Sequence, residues 1–514
     1  MPASSRYPRA ASAISLVLLL CNCGDGPTGP GAKPGVRAVA GAGVTDTVDA
    51  QPLQALVVEV RGENGSLASG VVVRFEPKPT SEATYYEPTV YVCPLSALDC
   101  GYYGGLLATD TTDANGRAKV TVRMGRVAGQ GVVRLVVPEF GLADSVAYTI
   151  TPGAAAEVRA LGADPGLDIG GTATLSGRVV DRYNNARTET PTLSLGPGSA
   201  ITLNATTGTV TAHDMGTQWV LMRYNSFVDS ARVRVVPGGR LLVWSSEERV
   251  VRLVNLNGTD ERTIASNVSS DFGAFPQFDP TRQRITLHAG SESYGGTPNI
   301  LIVVDTTGAA RRDIGPTVGF SAIMATRQLA DGTVLVVAAR SSDASHPGYS
   351  LWRVASDNTI TFLVALPELE AIYGGADISH DGTRVAYVAS HNYTPELRVH
   401  NVSSGSTIAL DGNGNSPRWS AQDDRILYLA TPSGYALYGG VATVINTNGS
   451  GRRVLGNADF NPGMAWSPDG TYVVGRSSDD QGLRLLRVSD GASVSLRFPT
   501  ATGCCHDYWQ PDWR

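Results

Sequence analysis

The chain has 514 residues, a formal net charge of −6 and only 17% charged side chains. This length is too great for a single hydrophobic core and predicts about three domains. The absence of a net positive charge excludes the electrostatic pattern of a nucleic-acid-binding protein. The 58 glycines and 29 prolines, together with apolar runs rich in β-branched residues, indicate an all-β fold.

The first 23 residues have the features of an export signal. Two arginines precede an apolar stretch, residues 11–20, that is too short to span a bilayer. The following run LLLCNCGDGPTGP resembles a bacterial lipoprotein signal, with a leucine three positions before Cys23. The resemblance implies a lipid on Cys23, or on Cys21, that anchors the protein to a bacterial outer membrane, facing the periplasm or the outside. Residues 24–37, rich in glycine and proline, predict a flexible linker.

Residues 38–152 show the short alternating strands that are typical of a β-sandwich. In the run LVVEVRGENGSLASGVVVRFEP, apolar and polar residues alternate on both sides of the Asn64-Gly65 turn. This run and the later TTDANGRAKVTVRMG resemble the bacterial Ig-like domains of the invasin and intimin type, which implies a spacer or an adhesive tip. Cys93 and Cys100 flank a loop within one long insertion, and we expect a disulfide between them.

Residues 153–237 form a second and less regular unit of alternating strands. The segment TTGTVTAHDMGTQWVLMRY looks like another common bacterial Ig-like type, in which a Gly-x-Val segment precedes a strand. We therefore expect a second Ig-like sandwich here, acting as a spacer and carrying no chemistry.

A hairpin signature recurs through residues 238–514. Its clearest copy, PGMAWSPDGTYVVG at residues 462–475, combines a short strand, a Ser-Pro-Asp-Gly turn and a second strand. A period of 41 to 51 residues with four strands in each unit is typical of propeller blades. Tryptophans before the turn are expected to pack between blades. The equivalent pre-turn residues are Phe278, Leu329, Ile378, Trp419, Trp466 and Trp513.

The two ends of this region together complete one repeat. The chain ends WQPDWR, which reads as a first strand, whereas residues 241–244 read as a second strand without a first. Pairing of these strands would close a ring of six blades and remove exposed sheet edges. The repeats resemble the TolB-like propeller repeat, a WD40-like PD40 repeat of bacterial periplasmic proteins, whose core motif is a Trp-Ser-Pro-Asp-Gly hairpin.

Aromatic residues are concentrated in two kinds of propeller loop, those between the second and third strands and those between blades. Both kinds meet at one mouth of a propeller, so we predict a ligand-binding face there. The alternative is that several of these rings wedge between blades. The loops between blades also carry Phe272, Phe320, Tyr373 and Phe460. The predicted aromatic face consists of Tyr294, Tyr349, Tyr393, Tyr435, Tyr438, His391, His506, Asp507, Tyr508 and Trp509.

The sequence lacks the nucleophile elbow, the zinc-protease motif, the phosphate loop and the dinucleotide fingerprint. His506 beside Cys504 and Cys505 offers too few ligands for a metal site, and the pairing of these two cysteines stays open. We therefore expect a non-catalytic protein without cofactor or metal, whose propeller binds an envelope protein or a surface glycan. Its membrane contact would be through the lipid alone.

Three alternatives remain open. One is a glycan-active lyase or hydrolase, which would place two carboxylates about 5 to 10 Å apart in the propeller channel. The second is an adhesin that acts through its Ig-like domains. The third is a purely structural role in the envelope, which predicts neither paired carboxylates nor an aromatic-lined mouth.

Overall fold

The computed structural model describes residues 33–513, except for 53, 79–88, 97–99, 101–106, 163, 246–247, 267, 269–275, 280, 282, 290–299, 315–318, 321, 341–342, 370–374, 392–393, 432–438, 478–481 and 499–507. The described residues form an all-β protein. They divide into two compact units, residues 1–157 with 180–188 and residues 158–179 with 189–514. Within the described residues, no helix is long and apolar enough to cross a membrane. The predicted lipidation site Cys23 lies outside them.

The first unit contains two sheets around a common core. One sheet has the strand order β1-β3-β7-β5 and the other β2-β9-β8-β4-β6. Their strands are β1 (Gly35–Ala40), β2 (Thr45–Thr47), β3 (Leu56–Arg61), β4 (Val72–Lys78), β5 (Val90–Cys93), β6 (Ala108–Thr111), β7 (Arg117–Met124), β8 (Gly129–Val137) and β9 (Leu142–Thr151), with a 3-10 turn at Pro138–Phe140.

Alternation explains how these strands bury one face. In β7, Ala118, Val120, Val122 and Met124 are buried, while the residues between them are more exposed. Side chains alternate across a strand, so this pattern directs every second residue into the core.

Cys93 and Cys100 in the first unit are joined by a disulfide, with their Cα atoms 5.5 Å apart. Both cysteines are buried together with Tyr91. The bridge closes a short loop next to β5.

The strands that follow form smaller sheets, with the orders β11-β18-β17-β14, β12-β16-β15 and β10-β13. Buried residues such as Val210, Val220 and Val233 lie on these strands. The bounds are β10 (Ala155–Leu161), β11 (Gly166–Asp168), β12 (Thr172–Thr174), β13 (Ser176–Asp181), β14 (Thr192–Leu195), β15 (Ile201–Asn204), β16 (Thr209–Ala212), β17 (Gly216–Tyr224) and β18 (Phe227–Val236).

The remainder of the second unit consists of consecutive antiparallel sheets. Three of them have four strands in chain order, and a seven-stranded sheet, β34 to β40, shares the long strand β37 between two such groups. The strands of the first part are β19 (Arg240–Ser245), β20 (Val250–Asn255), β21 (Arg262–Ala265), β22 (Gln277–Phe278), β23 (Arg284–Ala289), β24 (Ile300–Asp305), β25 (Arg312–Ile314), β26 (Ala322–Gln328), β27 (Val334–Ala339), β28 (Tyr349–Val354) and β29 (Ile360–Ala365).

The later strands continue the same pattern. They are β30 (Ala376–Ile378), β31 (Arg384–His391), β32 (Thr394–Asn401), β33 (Thr407–Asp411), β34 (Gly414–Trp419), β35 (Arg425–Ala430), β36 (Gly440–Asn446), β37 (Arg453–Trp466), β38 (Tyr472–Ser477), β39 (Leu483–Arg487), β40 (Ser493–Ser495) and β41 (Tyr508–Trp513). The last strand, β41, pairs antiparallel with β19, and Trp513 lies opposite Leu241.

The first strands of these sheets contact one another in cyclic order. Within the described residues, β22 contacts β26, and the series continues through β30, β34, β37 and β41 back to β22. We call these six the inner strands. Radial four-stranded meanders whose first strands meet at a common axis are the arrangement of β-propeller blades.

Candidate functional site

Serine side chains stabilise, through hydrogen bonds, the turns that follow the inner strands β30 and β37. The Ser467 hydroxyl donates to the Asp469 carboxylate at 2.5 Å and accepts the backbone N–H of Tyr472 at 2.9 Å. The Ser379 hydroxyl makes the same pair of contacts in its own turn, at 2.6 and 2.9 Å. Gly470 supplies the left-handed corner, with φ of 70°. Local sequence therefore determines where these two inner strands stop.

Two tryptophans tie neighbouring inner strands together. Trp419 Nε1 donates to the carbonyl of Asp377, and Trp466 Nε1 donates to the carbonyl of Arg418, both at 3.1 Å. A guanidinium from the strand that follows the preceding inner strand lies over each ring, 4.7 and 5.0 Å from the two ring centroids. For these two tryptophans, the contacts agree with the prediction that pre-turn tryptophans pack against the neighbouring repeat.

The inner strands surround a narrow cavity of about 50 Å³. Every inner strand contributes at least one lining residue, and turn residues such as His380 and Pro468 line the end of the cavity. The cavity thus lies where the inner strands finish. The six that we call the axial ring, one from each inner strand, are Gln277, Arg327, Asp377, Arg418, Ala465 and Asp512.

One ion pair within the axial ring is fully buried. Arg327 donates to the Asp377 carboxylate at 3.0 Å, and the two side chains are only 6% and 2% exposed. Asp377 also accepts the backbone N–H groups of Ile378 and Trp419, at 2.9 and 2.8 Å. Because each of its oxygens has a donor, Asp377 acts as a structural anion.

The other two charges of the axial ring have no such pairing. Arg418 donates to the carbonyl of Pro417 at 2.9 Å, and Asp512 accepts the N–H of Phe278 at 2.6 Å. Neither side chain forms an ion pair with another described residue. Burial lowers the pKa of Arg418, opposed by the charges of Asp377 and Asp512.

Burial likewise raises the pKa of the Asp512 carboxyl. The Phe278 N–H and the charges of Arg327 and His380 oppose this rise. Charges that are partly buried without an ion-pair partner are costly, so a charged group that contacts Arg418 or Asp512 would be stabilising.

The size of the cavity limits what can enter it. Pockets for small organic ligands usually measure about 300 Å³ or more, whereas this cavity measures about 50 Å³. It therefore suits a small ion or the tip of one inserted side chain better than a sugar ring. Asp377 and Asp512 share the cavity, but Asp377 is already occupied by its three donors.

Within the described residues, no cluster of three or more His, Cys, Asp or Glu could hold a metal ion.

The axial ring was not found from the sequence, although a signal for it exists. In five repeats the residue just before the sequence-assigned pre-turn position lines the cavity, and in three of these, at Asp377, Arg418 and Asp512, it is charged. In the repeat of β26, the turn is one residue shorter, because Gln328 pairs with Val334 whereas Ile378 pairs with Val385. Gln328, not Leu329, is therefore the pre-turn residue there, and Arg327 faces the axis.

Most of the predicted aromatic face lies outside the described residues. This applies to Tyr294, Tyr393, Tyr435, Tyr438, His506 and Asp507. For His391, Tyr508 and Trp509 only the backbone is described, with His391 at the end of β31 and the other two at the start of β41.

Three aromatic residues from the same loops are described with their side chains. Tyr349 is half-buried against the core between two sheets. Phe320 and Phe460, from the loops between blades, are 8% and 1% exposed. These three rings pack between strands, as expected if such rings fill the space between blades and do not form a ligand-binding face.

No family model and no curated protein matches the sequence. Among solved structures, the chain is similar to TolB from Acinetobacter baumannii, with 15% identity, a TM-score of 0.43 and coverage of 61% of this chain and 81% of that one. A nidogen–laminin complex matches at 10% identity and a TM-score of 0.40, over 54% and 98% of the two chains. A putative TolB from Agrobacterium tumefaciens matches at 14% identity and a TM-score of 0.37, over 51% and 90%. Similarities this distant do not assign a ligand.

Proposed function

We propose that this protein is an exported, lipid-anchored envelope protein that binds a protein partner through the axial cavity of a closed, six-bladed, TolB-like propeller. Two Ig-like domains would act as spacers between the lipid on Cys23 and the propeller. The cyclic contacts of the inner strands and the pairing of β41 with β19 support the closed ring. The repeat motif supports the TolB-like assignment.

The observation that carries the binding proposal is the pair Arg418 and Asp512. Both line one cavity, both are partly buried with a pKa shifted by burial, and neither has an ion-pair partner among the described residues. A partner that inserts one charged side chain would neutralise one of them at reduced desolvation cost, since both charges are already partly buried. The volume of about 50 Å³ favours such a side chain over a glycan.

A binding experiment with two variants tests this proposal. Envelope extract and a glycan array are screened with the wild-type protein, with Arg418→Gln/Asp512→Asn, and with Tyr508→Ala/Trp509→Ala. We expect a protein partner that is lost in the Arg418/Asp512 variant and kept in the Tyr508/Trp509 variant. The reverse result would move the site to the predicted aromatic face. A glycan ligand that survives the Arg418/Asp512 change would contradict the proposal.

The lipid anchor has its own test. Labelled palmitate should be incorporated into the wild-type protein and into a Cys21→Ala variant, but not into Cys23→Ala. Labelling that is lost only in Cys21→Ala would move the anchor to Cys21.

A second candidate function, a glycan-active enzyme, is favoured by one observation. Asp377 and Asp512 line the same cavity, as two catalytic carboxylates would. The donors on Asp377 and the small volume argue against it. Turnover of an acidic or neutral polysaccharide that is abolished by Asp512→Asn would establish the enzyme instead.

A further inference from the structure

Arg234 is a buried cation without a side-chain partner among the described residues. It lies near the end of β18 and is only 9% exposed. Its side chain forms neither a hydrogen bond nor an ion pair with any described residue. Burial lowers the pKa of its guanidinium, and the positive charges of Arg232 and Arg497 lower it further, opposed only by Asp164. Buried charges are normally paired, so this position calls for an anion.

The neighbouring arginine is also incompletely satisfied. Arg232 pairs with Asp164 at 2.8 Å, but its buried Nε has no hydrogen-bond acceptor. Arg232 and Arg234 are two positions apart on β18 and therefore project from the same face of the sheet. Trp219 lies opposite Arg232 in the register, with its ring centroid 5.8 Å from the guanidinium carbon.

A third arginine, Arg497, follows the end of β40 and lies close enough for its charge to act on Arg234. Val236, two residues after Arg234, shares a hydrophobic cluster with Leu496 and Phe498, which flank Arg497. Arg497 is exposed and has no ion-pair partner among the described residues. Three arginines thus converge against a single aspartate, Asp164, in a protein whose overall charge is −6.

We propose that Arg232, Arg234 and Arg497 form a binding site for an oxyanion, either a carboxylate or a phosphate group, carried by a small ligand. Guanidinium groups bind both kinds of oxyanion in bidentate geometry. Trp219, 43% exposed beside them, offers an aromatic surface to the rest of the ligand. This site is separate from the axial cavity, and neither proposal depends on the other.

Titration calorimetry and thermal unfolding of the whole protein test the site. The probes are inorganic phosphate, glucuronate and glucose 6-phosphate, with glucose as the uncharged control, at constant ionic strength adjusted with sodium chloride. We expect saturable binding of at least one oxyanion, a rise in the unfolding temperature with it, and no effect of glucose. Binding of glucuronate alone identifies a carboxylate ligand, and binding of the phosphates alone identifies a phosphate ligand.

Three variants test whether oxyanion binding depends on these arginines. Arg497→Glu reverses an exposed charge, so it should leave the fold intact and weaken oxyanion binding by about tenfold or more. Arg234→Met should abolish binding and lose the unfolding-temperature response. Arg223→Ala, an exposed arginine elsewhere on β17, is the matched control and should bind as wild type does.

Two results would overturn the proposal. One is the absence of saturable oxyanion binding to the wild-type protein. The other is binding that Arg497→Glu leaves unchanged, or that Arg223→Ala weakens equally.

Discussion

The indole of Trp419 donates its N–H to the backbone carbonyl of Asp377, 3.1 Å away on the neighbouring inner strand. The carboxylate of the same Asp377 accepts the backbone N–H of Trp419 at 2.8 Å. Two hydrogen bonds, both donated by Trp419 and accepted by Asp377, therefore connect these residues across the boundary between two sheets. Because Asp377 also holds Arg327, the packing between sheets and the charge at the axis depend on the same residue.

Trp419→Phe should destabilise the second unit by about 1–2 kcal/mol, because the buried carbonyl of Asp377 loses its donor while most of the ring contact is kept. Urea unfolding followed by fluorescence and circular dichroism measures this change. Trp219→Phe is the control, since Trp219 is exposed, and its effect should stay within about 0.5 kcal/mol. Equal losses in the two variants would show that the Trp419 hydrogen bond contributes nothing specific.

Arg327→Met should cost about 3–5 kcal/mol, because it leaves the Asp377 carboxylate buried and uncompensated. Adding Asp377→Asn should recover part of this loss, since an amide carries no charge yet can still accept the N–H of Trp419. Unfolding free energies of both single variants and the double variant complete the cycle. A double variant less stable than Arg327→Met would refute this account of the ion pair.

Deletion of residues 510–514 should lower the unfolding temperature of the whole second unit. It removes the pairing of Trp513 with Leu241 and the contact of Asp512 with the Phe278 N–H, and it exposes the edge of β19. Differential scanning calorimetry detects the change. Trp513→Phe, which keeps the strand, should have a smaller effect. Unchanged unfolding of the deletion variant would mean that β41 does not close the ring.

Asp423 occupies the same turn position as Gly382 and Gly470 in other turns. Like them it has a left-handed backbone conformation, with φ of 56°. Its carboxylate accepts the backbone N–H groups of His380 and Asp381, at 2.9 and 3.0 Å, and contacts the His380 ring. Burial alone would raise the pKa of Asp423, but the contacts with His380 outweigh it and lower the pKa.

Asp423→Gly should therefore be destabilising at pH 7, although it relieves about 1 kcal/mol of backbone strain. Because the pKa of Asp423 is lower in the folded state, its ionised carboxylate stabilises the fold at every pH above the unfolded pKa of about 3.9. This stabilisation is lost as the pH falls through the folded pKa, where the carboxylate becomes protonated. The stability difference between wild type and variant should thus shrink below about pH 4. Urea unfolding at several pH values checks this, and a difference independent of pH would exclude the carboxylate as its cause.

The sequence by itself determined the elements whose signals are local. The turn from Ser467 to Gly470 needs only a proline, a glycine and two short polar side chains within a few residues, so its copies could be recognised one by one. Alternation along β7 likewise indicated its buried face. The pre-turn tryptophans were expected between sheets because their repeat position is the same in each copy.

Only the tertiary structure decided which side chains share the axis. Arg327 faces it because one turn is a residue shorter, and Arg418 and Asp512 are distant in sequence yet line one cavity. The same holds for Arg234 and Arg497, which approach each other only when β18 packs beside the last sheet. Periodicity reports which face of a strand is buried, but desolvation and charge pairing depend on neighbours that the fold brings together from separate repeats.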